Sequence, residues 1–494
     1  MKYTPTIGLE IHAELKTATK MFCKCLNDSD EKHPNINVCP ICMGHPGTLP
    51  VINKEAVKKV LITGKALKGE LADYSQFDRK NYFYPDLPKG YQISQYKYPL
   101  VNGGELNGIK ITRIHLEEDT GSLSHINEKS LVSFNRAGVP LMELVTEPVI
   151  KSGEEARKFA EEFQLVLRYL NVSDADMEKG QMRVEANISL RENLAASPPS
   201  GGEAAKLELG TKVEIKNLNS FRAVERAINY EIERQSKILD KGESVKHETR
   251  GWDENKQKTF SQREKEKSHD YRYFPEPDLP PLQASSLLFS ITDNKGNDSE
   301  RQTAGSLHIP ELPQQKRERF KKEYNLKDEQ IEIFIRDKKF ADYFEAVASE
   351  STPSVGNVQL AANYLISDLL GLMKEKMLTV DEILVSPENF AELVKTIGNG
   401  EITSRVGKDV LRIMVETGKK LSLVIKEERS GQISDKDIIQ KIADEIIQEN
   451  PSVVESFKKG KEQSLQFLIG QGMKKTKGSV NPVILTRFLK ESIK

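Results

Sequence analysis

The chain has 494 residues, of which 37% are hydrophobic and 30% charged, and its formal net charge is −1. That length allows about three domains with cores of their own, and no run approaches the roughly 18 apolar residues of a membrane span. A charge near zero excludes a global pull toward nucleic acid, so any such binding must come from local patches. The start, Met1-Lys-Tyr-Thr-Pro5, carries no apolar signal core, and a cytoplasmic protein is expected.

In Thr6 to Leu15, Ile7, Leu9 and Ile11 alternate with Glu10, His12 and Glu14, the period of a half-buried strand with one chemical face. All four cysteines follow within one short stretch, as Cys23-Lys-Cys25 and Cys39-Pro-Ile-Cys42. Two such knuckles have structural-zinc spacing, and disulfides are disfavoured in a reducing compartment, so one tetrahedral Zn2+ is predicted. With four thiols available, His33 and His45 are not needed as ligands. Asn53 caps a predicted helix striped by Val57, Val60, Leu61 and Leu67.

From Asp78 to Gln95, Pro85, Pro88 and Gly90 forbid a long regular element. Aromatic residues such as Tyr82, interleaved with Arg79, Lys80 and Lys89, suit base stacking and phosphate binding, although a packed loop with salt bridges explains the run equally well. Two strand-like runs come next. In Ile111 to Asp119, Arg113, His115 and Glu117 share a face opposite Ile114 and Leu116. In Asn135 to Pro148, Glu143 and Glu147 oppose Met142 and Leu144, and Pro140 marks an irregular beginning.

Met182 to Arg191 alternates throughout, with Arg183, Glu185, Asn187, Ser189 and Arg191 on its polar face. Ala195 to Lys206 is expected to be an exposed excursion. Lys212, Glu214 and Lys216 interleave with Val213 and Ile215, and Lys216 with Asn217 just ahead of a helix start offers an anion site. That helix carries Phe221, Val224, Ile228 and Ile232 on one face and stops near Gly242. Asp270 to Pro281, broken by prolines, closes the first domain.

Helical spacing replaces alternation from about Leu312. Pro313 to Tyr324, Lys327 to Ser349 and Val358 to Met377 read as helices, Ser386-Pro387 opens another, and a last helical block beginning near Glu401 includes Ser434 to Gln448. Lys474, Lys475 and Lys477 beside glycines suit a nucleic-acid backbone, though three lysines are more often ordinary surface.

One wet, charged strand face is commonplace. Four or five strands, each presenting carboxylates flanked by Arg, His or Lys, describe a sheet that can hold a hard cation and phosphate oxygens. No P-loop or Gly-x-Gly-x-x-Gly fingerprint is present, so a nucleotide has to be held by that acidic sheet and its metal. With the cysteines committed to zinc and no glycine- and serine-rich amidase loop, a reaction consuming glutamine nitrogen needs a second protein to release it.

Six segments together resemble the B subunits of aspartyl/glutamyl-tRNA amidotransferases, the GatB family. They are Ile7 to His12, Asp78 to Gln95, His115 to Asp119, Glu185 to Arg191, Lys216 to Phe221 and Asp270 to Pro277; the run from Gly472 to Pro482 resembles the family's YqeY-type tail. The resemblance implies an α+β protein. Its antiparallel-sheet cradle, similar to the glutamine synthetase catalytic sheet, spans residues 1–290; a helical domain spans 291–400 and an all-α tRNA-binding tail 401–494. It implies ATP-dependent phosphorylation of the side-chain carboxylate of Glu-tRNA(Gln) or Asp-tRNA(Asn), followed by displacement of phosphate by ammonia.

The implied partners are the misacylated tRNA, an amidase A subunit that supplies ammonia, and a small C subunit. Mg2+ is expected at Glu10, His12, Glu118 and Glu143. The alternation in the strand favours Glu117 over Glu118, so both are carried forward, and histidine is an unusual magnesium ligand. Substrate and phosphate contacts are expected from Arg79, Lys80, Tyr82, Glu117, Arg183, Glu185, Glu214, Lys216 and Asn217, and tRNA contacts from Lys474, Lys475 and Lys477. A zinc-bearing tRNA-binding module without chemistry, and a stand-alone ligase using free ammonia, are the competing readings.

Overall fold

The computed structural model describes residues 2–28, 30–192, 210–264, 271–283, 309–350, 355–429, 436–476, 480 and 482–493. The chain divides into two compact units, Met1–Lys316 and Arg317–Lys494.

The first unit is built on one large sheet. Its long strands are β1 (Tyr3–Glu14), β4 (Ile109–Glu118), β5 (Pro140–Thr146), β6 (Met182–Glu192), β7 (Val213–Leu218), β8 (Glu248–Asp253) and β9 (Lys258–Glu264), with β2 (Asp78–Asn81) and β3 (Tyr91–Ser94) in a separate small sheet. The order is β9-β8-β7-β6-β1-β5-β4, extended past β4 by the short strands Val101–Asn102 and Glu70–Leu71. Pairing is antiparallel except between β7 and β8, which run parallel. The helix α3 (Phe221–Asp240) joins those two strands, and a helical crossover returns the chain in its original direction. The sheet is therefore mixed, not the wholly antiparallel one expected.

Period-2 alternation gives the sheet two unlike faces. Ile7, Leu9, Ile11 and Ala13 of β1, Ile114 and Leu116 of β4, and Val184, Ala186 and Ile188 of β6 are sealed into one core. Three amphipathic helices cover that face: α1 (Lys54–Ala66) through Val57, Val60 and Leu61, α2 (Gly153–Tyr169) through Phe159 and Phe163, and α3 through Val224 and Ile228. Each begins where the sequence signals a start: Asn53 accepts from the Glu55 amide at 3.0 Å, and Ser152 and Ser220 accept from the third residue onward at 3.1 and 3.0 Å. The opposite face is left open for polar side chains.

The second unit is helical throughout its described residues. It comprises α4 (Pro313–Tyr324, which begins just before the division), α5 (Asp328–Ile335), α6 (Lys338–Glu350), α7 (Val355–Tyr364), α8 (Leu370–Lys376), α9 (Pro387–Gly398), α10 (Ser404–Thr417), α11 (Leu421–Arg429), α12 (Lys436–Glu449), α13 (Pro451–Lys458), α14 (Glu462–Lys475) and α15 (Pro482–Ile493). The run expected as one helix over 327–349 is broken at Arg336, and the run over 358–377 passes through a π turn at Leu365–Leu369.

The break expected at residue 401 lies elsewhere. Tyr364 Oη meets Ser404 Oγ at 2.7 Å, Arg412 pairs with Glu375 at 2.9 Å and Lys408 with Asp368 at 2.8 Å, all tying α10 to the helices before it. A separate core forms only from α12 onward, around Ile439, Ile446, Leu468, Leu485 and Leu489.

Candidate active site

Antiparallel register places side chains in rows across the open face. One row runs Glu185 (β6), Glu10 (β1), Val145 (β5), Arg113 (β4); the next runs Arg183, His12, Glu143, His115 on the same strands; a third has Glu14, Leu141 and Glu117. The small sheet of β2 and β3, with Phe274–Pro275 beside β2, adds Lys80, Tyr82, Gln92, Tyr271 and Tyr273 to the same lining. Together these groups enclose a polar cleft of about 1120 Å³.

Two sets of donors converge inside it. His12, Glu117 and Glu143 can bring one ligand atom each within 4.8 Å of one another, and so can Glu10, Glu185 and Glu214. His12 Nε2 lies 3.4 Å from Glu143 and 3.6 Å from Glu117, and His115 Nε2 lies 3.2 Å from Glu143. Burial opposes a charge on His12, but Glu143 and Glu117 outweigh it and raise the imidazole to about 9. Burial likewise disfavours charge on Glu143, yet His115 and His12 hold its carboxyl well below the usual range. Glu10 goes the other way: burial, then the charges of Glu143 and Glu185, push its carboxyl up. Asn187 aims Glu10, donating to Oε1 at 2.8 Å, while Asn187 Oδ1 is buried without a partner among the described residues. A buried cluster of like charges held by so few cations is the environment a divalent ion relieves.

The four cysteines form a second cluster, with all four sulfurs within 4.8 Å of one another. Cys39 and Cys42 are 3.9 Å apart, close to the sulfur separation that Zn–S bonds of about 2.3 Å impose on a tetrahedron. A hydrogen bond from Cys23, offset in part by burial, together with the Cys39 amide and nearby Lys20, lowers the Cys42 thiol to about 5. Fully buried Lys20 also reaches the Asn37 and Phe134 carbonyls at 2.6 and 3.2 Å. Donor set and spacing both fit a structural metal.

A model described as the GatB/GatE catalytic domain matches residues 5–290, and another described as the GatB domain matches 342–493. The B subunits of the aspartyl/glutamyl-tRNA(Asn/Gln) amidotransferases of Persephonella marina and Thermoanaerobacter pseudethanolicus are each 44% identical, with the whole of both chains covered. The protein of the same name from Thermotoga petrophila is 40% identical over 99% of each chain. The chain belongs to the GatB family.

The GatB fold sorts the expected site residues sharply. Glu10, His12, Glu117, Glu143, Lys80, Tyr82, Arg183, Glu185, Glu214 and Lys216 all line the cleft. Glu118 does not. Adjacent strand residues point to opposite sides, so its carboxylate turns toward the cysteine loop, where Lys89 Nζ meets Oε2 at 2.6 Å and the Ile93 amide meets Oε1 at 3.0 Å. Of the two candidates in β4, only Glu117 reaches the His12–Glu143 group.

Arg79 is turned away for the same reason. Its neighbour Lys80 takes the cleft side of β2, while Arg79 pairs with Glu276 at 2.7 and 2.8 Å and stacks 4.2 Å from the Tyr91 ring centroid. Its fork is occupied by structure, so it is no phosphate contact here. Arg183 lines the cleft but donates to both Asp119 oxygens at 3.0 Å, and Lys216 is held by Glu185 at 2.9 Å. Glu147, expected beside Glu143, lies beyond a register shift at Val145/Thr146 and accepts from Thr112 at 2.8 Å.

Asn217 sits on β7, but its side chain is outside the described residues, as are Lys477 and the stretch 195–206. Lys474 and Lys475 are both exposed, but Lys475 is paired with Glu445 and Glu449 at 2.8 and 2.7 Å, whereas Lys474 makes no ion pair with a described residue.

Several cleft residues went unselected from the sequence, namely Arg113, His115, Asp119, Tyr96, Tyr271 and Tyr273, as did Asn187, which holds Glu10. Parity alone put Arg113, His115 and Asn187 on polar faces. Tyr96 and Tyr273 stack with centroids 4.5 Å apart although 177 positions separate them, and no local spacing carries that signal.

Proposed function

We propose that this chain is the phosphorylating and amidating subunit of a glutamine-dependent tRNA amidotransferase, converting Glu-tRNA(Gln), Asp-tRNA(Asn) or both to the amidated forms. The observation that carries the reading is the convergence of His12, Glu117 and Glu143 beside Glu10, Glu185 and Glu214 on the open face of one sheet, in a chain 44% identical to amidotransferase B subunits. A glutamine synthetase-like cradle is the fold expectation that goes with it.

The reaction takes two steps. A side-chain carboxylate oxygen attacks the γ-phosphorus of ATP, the bond to the β-phosphate oxygen breaks, and ADP leaves. The ammonia nitrogen then attacks the acyl carbon, the carbon–oxygen bond to the phosphoryl group breaks, inorganic phosphate departs, and nitrogen gives up a proton to leave the amide. Magnesium held by the two donor sets would neutralise charge on the transferring phosphoryl group.

The chain's own residues supply the remainder. Asn187 orients Glu10, His115 and His12 keep Glu143 ionised, and Ser94 Oγ fixes Glu117 with a 3.0 Å hydrogen bond. Lys80, kept cationic by Glu117 against its burial, faces the same space as the attacking carboxylate. The rings of Tyr82, Tyr96, Tyr271 and Tyr273 suit an adenine or the acceptor end of the tRNA. Zinc on Cys23, Cys25, Cys39 and Cys42 is structural in this reading. Ammonia comes from an amidase A subunit, a small C subunit completes the assembly, and the helical residues from about 401 hold the tRNA body.

The test is the assembled complex carrying Glu143→Gln, assayed with each misacylated tRNA. ADP and amidated tRNA should both fail to form, with or without ammonium chloride replacing glutamine, while basal glutamine hydrolysis continues. Near-normal ADP formation would place the phosphorylating site elsewhere.

A further inference from the structure

We propose that Arg113 is the phosphoryl-oxygen clamp of this cleft, a role that rests on the phosphorylating reaction above. The cations lining the cleft are Lys80, Arg113, Arg183, Lys212 and Lys216, together with His12 and His115. Arg183 is bound to Asp119, Lys216 to Glu185, and both histidines to Glu143. Arg113 has no such commitment. Its side chain makes no ion pair or hydrogen bond with any described residue, and its Nε is buried without a partner among them.

A guanidinium carries five donors that cannot be deprotonated away, and a half-buried one that lines a cleft with its Nε buried and unsatisfied is retained where a ligand provides the acceptor. Its place in the sheet says which ligand. Arg113 is two strands from Glu10 in the same row, with Val145 between them, so their backbones are about 10 Å apart at ordinary strand spacing. Next to it along β4 is His115, 2% exposed, whose Nδ1 is also without a partner among the described residues. The Glu10–Glu185–Glu214 set thus lies on β1, β6 and β7, the His12–Glu117–Glu143 set spans β1, β4 and β5, and the Arg113 guanidinium lines the same cleft from β4.

An anion seated between the Glu10–Glu185–Glu214 set and Arg113 meets metal-binding carboxylates at one end and a planar fork of N–H groups at the other. A phosphoryl group, whose charge is spread over several oxygens during transfer, matches both. A lysine in place of Arg113 would present a single point charge and lose the fork.

The experiment uses the intact complex with Arg113→Gln, which keeps most of the bulk, and Arg113→Ala. Unchanged glutamine hydrolysis without tRNA and an unchanged melting temperature establish that both variants are assembled. Binding of a non-hydrolysable ATP analogue should weaken at least 10-fold, binding of ADP should hardly change, and ADP formation with misacylated tRNA should fall on the order of 100- to 1,000-fold. Guanidinium ion should restore part of the Arg113→Ala loss, which a purely structural role would not allow.

Unchanged analogue affinity together with a raised KM for the aminoacyl-tRNA would overturn the proposal and make Arg113 a contact to the side-chain carboxylate. Equal losses for ADP and the analogue would also overturn it, since the clamp is assigned to the transferred phosphoryl group. The Glu143→Gln complex, run in parallel, separates the two ideas: if it is inactive while Arg113→Gln is normal, only the clamp is wrong.

Discussion

The two clusters of ligand-type side chains in the first unit were built by opposite routes. Cys23, Cys25, Cys39 and Cys42 come from one loop of twenty residues, and their sulfurs converge because the chain turns back on itself locally. The cleft carboxylates come from β1, β4, β5, β6 and β7, spread from residue 10 to residue 214, and they converge only because five strands pair in one register. A local cluster is announced by spacing alone. A distributed one is announced by repeated parity, and parity cannot say which strands become neighbours. Removing members of each cluster should separate local architecture from distributed chemistry.

The largest effect belongs to the cysteine cluster. Cys42→Ser should abolish stoichiometric zinc, with the loss of binding free energy on the order of 10 kcal/mol that structural zinc commonly contributes. The loop from Phe22 to Val51 should then become sensitive to protease, because the Phe22 carbonyl to Val51 amide bond at 3.0 Å is one of few backbone contacts closing it. Metal analysis of the purified protein decides the matter. Four freely titrating thiols with no zinc in the native chain would refute the assignment.

Next comes the pair of adjacent glutamates that the structure sends to opposite sides of β4. Glu118→Gln strips the partner from Lys89 in an ion pair whose side chains are 4% and 9% exposed, and should destabilise the first unit by about 3 to 5 kcal/mol, seen as a lower unfolding midpoint. Glu117→Gln should leave stability much closer to native and instead abolish ADP formation. The reverse pattern would mean that Glu118, as the family resemblance suggested, is the metal-binding carboxylate.

Glu10→Gln and His12→Ala sharpen the reading of the cleft itself. Each should cost about 2 to 4 kcal/mol of transition-state stabilisation, measured as ADP and amide formation on misacylated tRNA, with basal glutaminase intact. If Glu10→Gln kept full activity while His12→Ala lost it, the Glu10–Glu185–Glu214 set would be a charge cluster without a catalytic ion.

Much of this was legible in advance for definite reasons. Glu10, His12 and Glu14 alternate with Ile7, Leu9 and Ile11, and burying one face fixes where the other points. The same rule applied to β4 separates Glu117 from Glu118, and applied to β2 it separates Lys80 from Arg79. What parity could not give was pairing at a distance. The parallel placement of β8 beside β7, the bulge that removes Glu147, the Glu276 carboxylate that occupies Arg79 and the stacking of Tyr96 on Tyr273 all depend on residues brought together by the fold. The helical half obeyed its start signals, as at Ser386, but not its expected internal boundary, because contacts such as Tyr364 to Ser404 are invisible to periodicity.

The smallest predicted effect tests whether the tail lysines act on tRNA, and the structure makes the test unequal between neighbours. Lys475 lies between Glu445 and Glu449, so its charge is already compensated and forming a phosphate contact would require leaving two carboxylates. Lys474, one position earlier on α14, makes no ion pair with a described residue and faces solvent. In salt titrations of tRNA binding to the intact complex, Lys474→Ala should reduce the slope of log K against log salt by roughly one contact and weaken binding a few-fold near physiological salt. Lys475→Ala should change the slope much less. Equal slopes for both variants and the native chain would remove this end of α14 from the tRNA path, and a larger loss for Lys475 would mean that Glu445 and Glu449 release it when tRNA arrives.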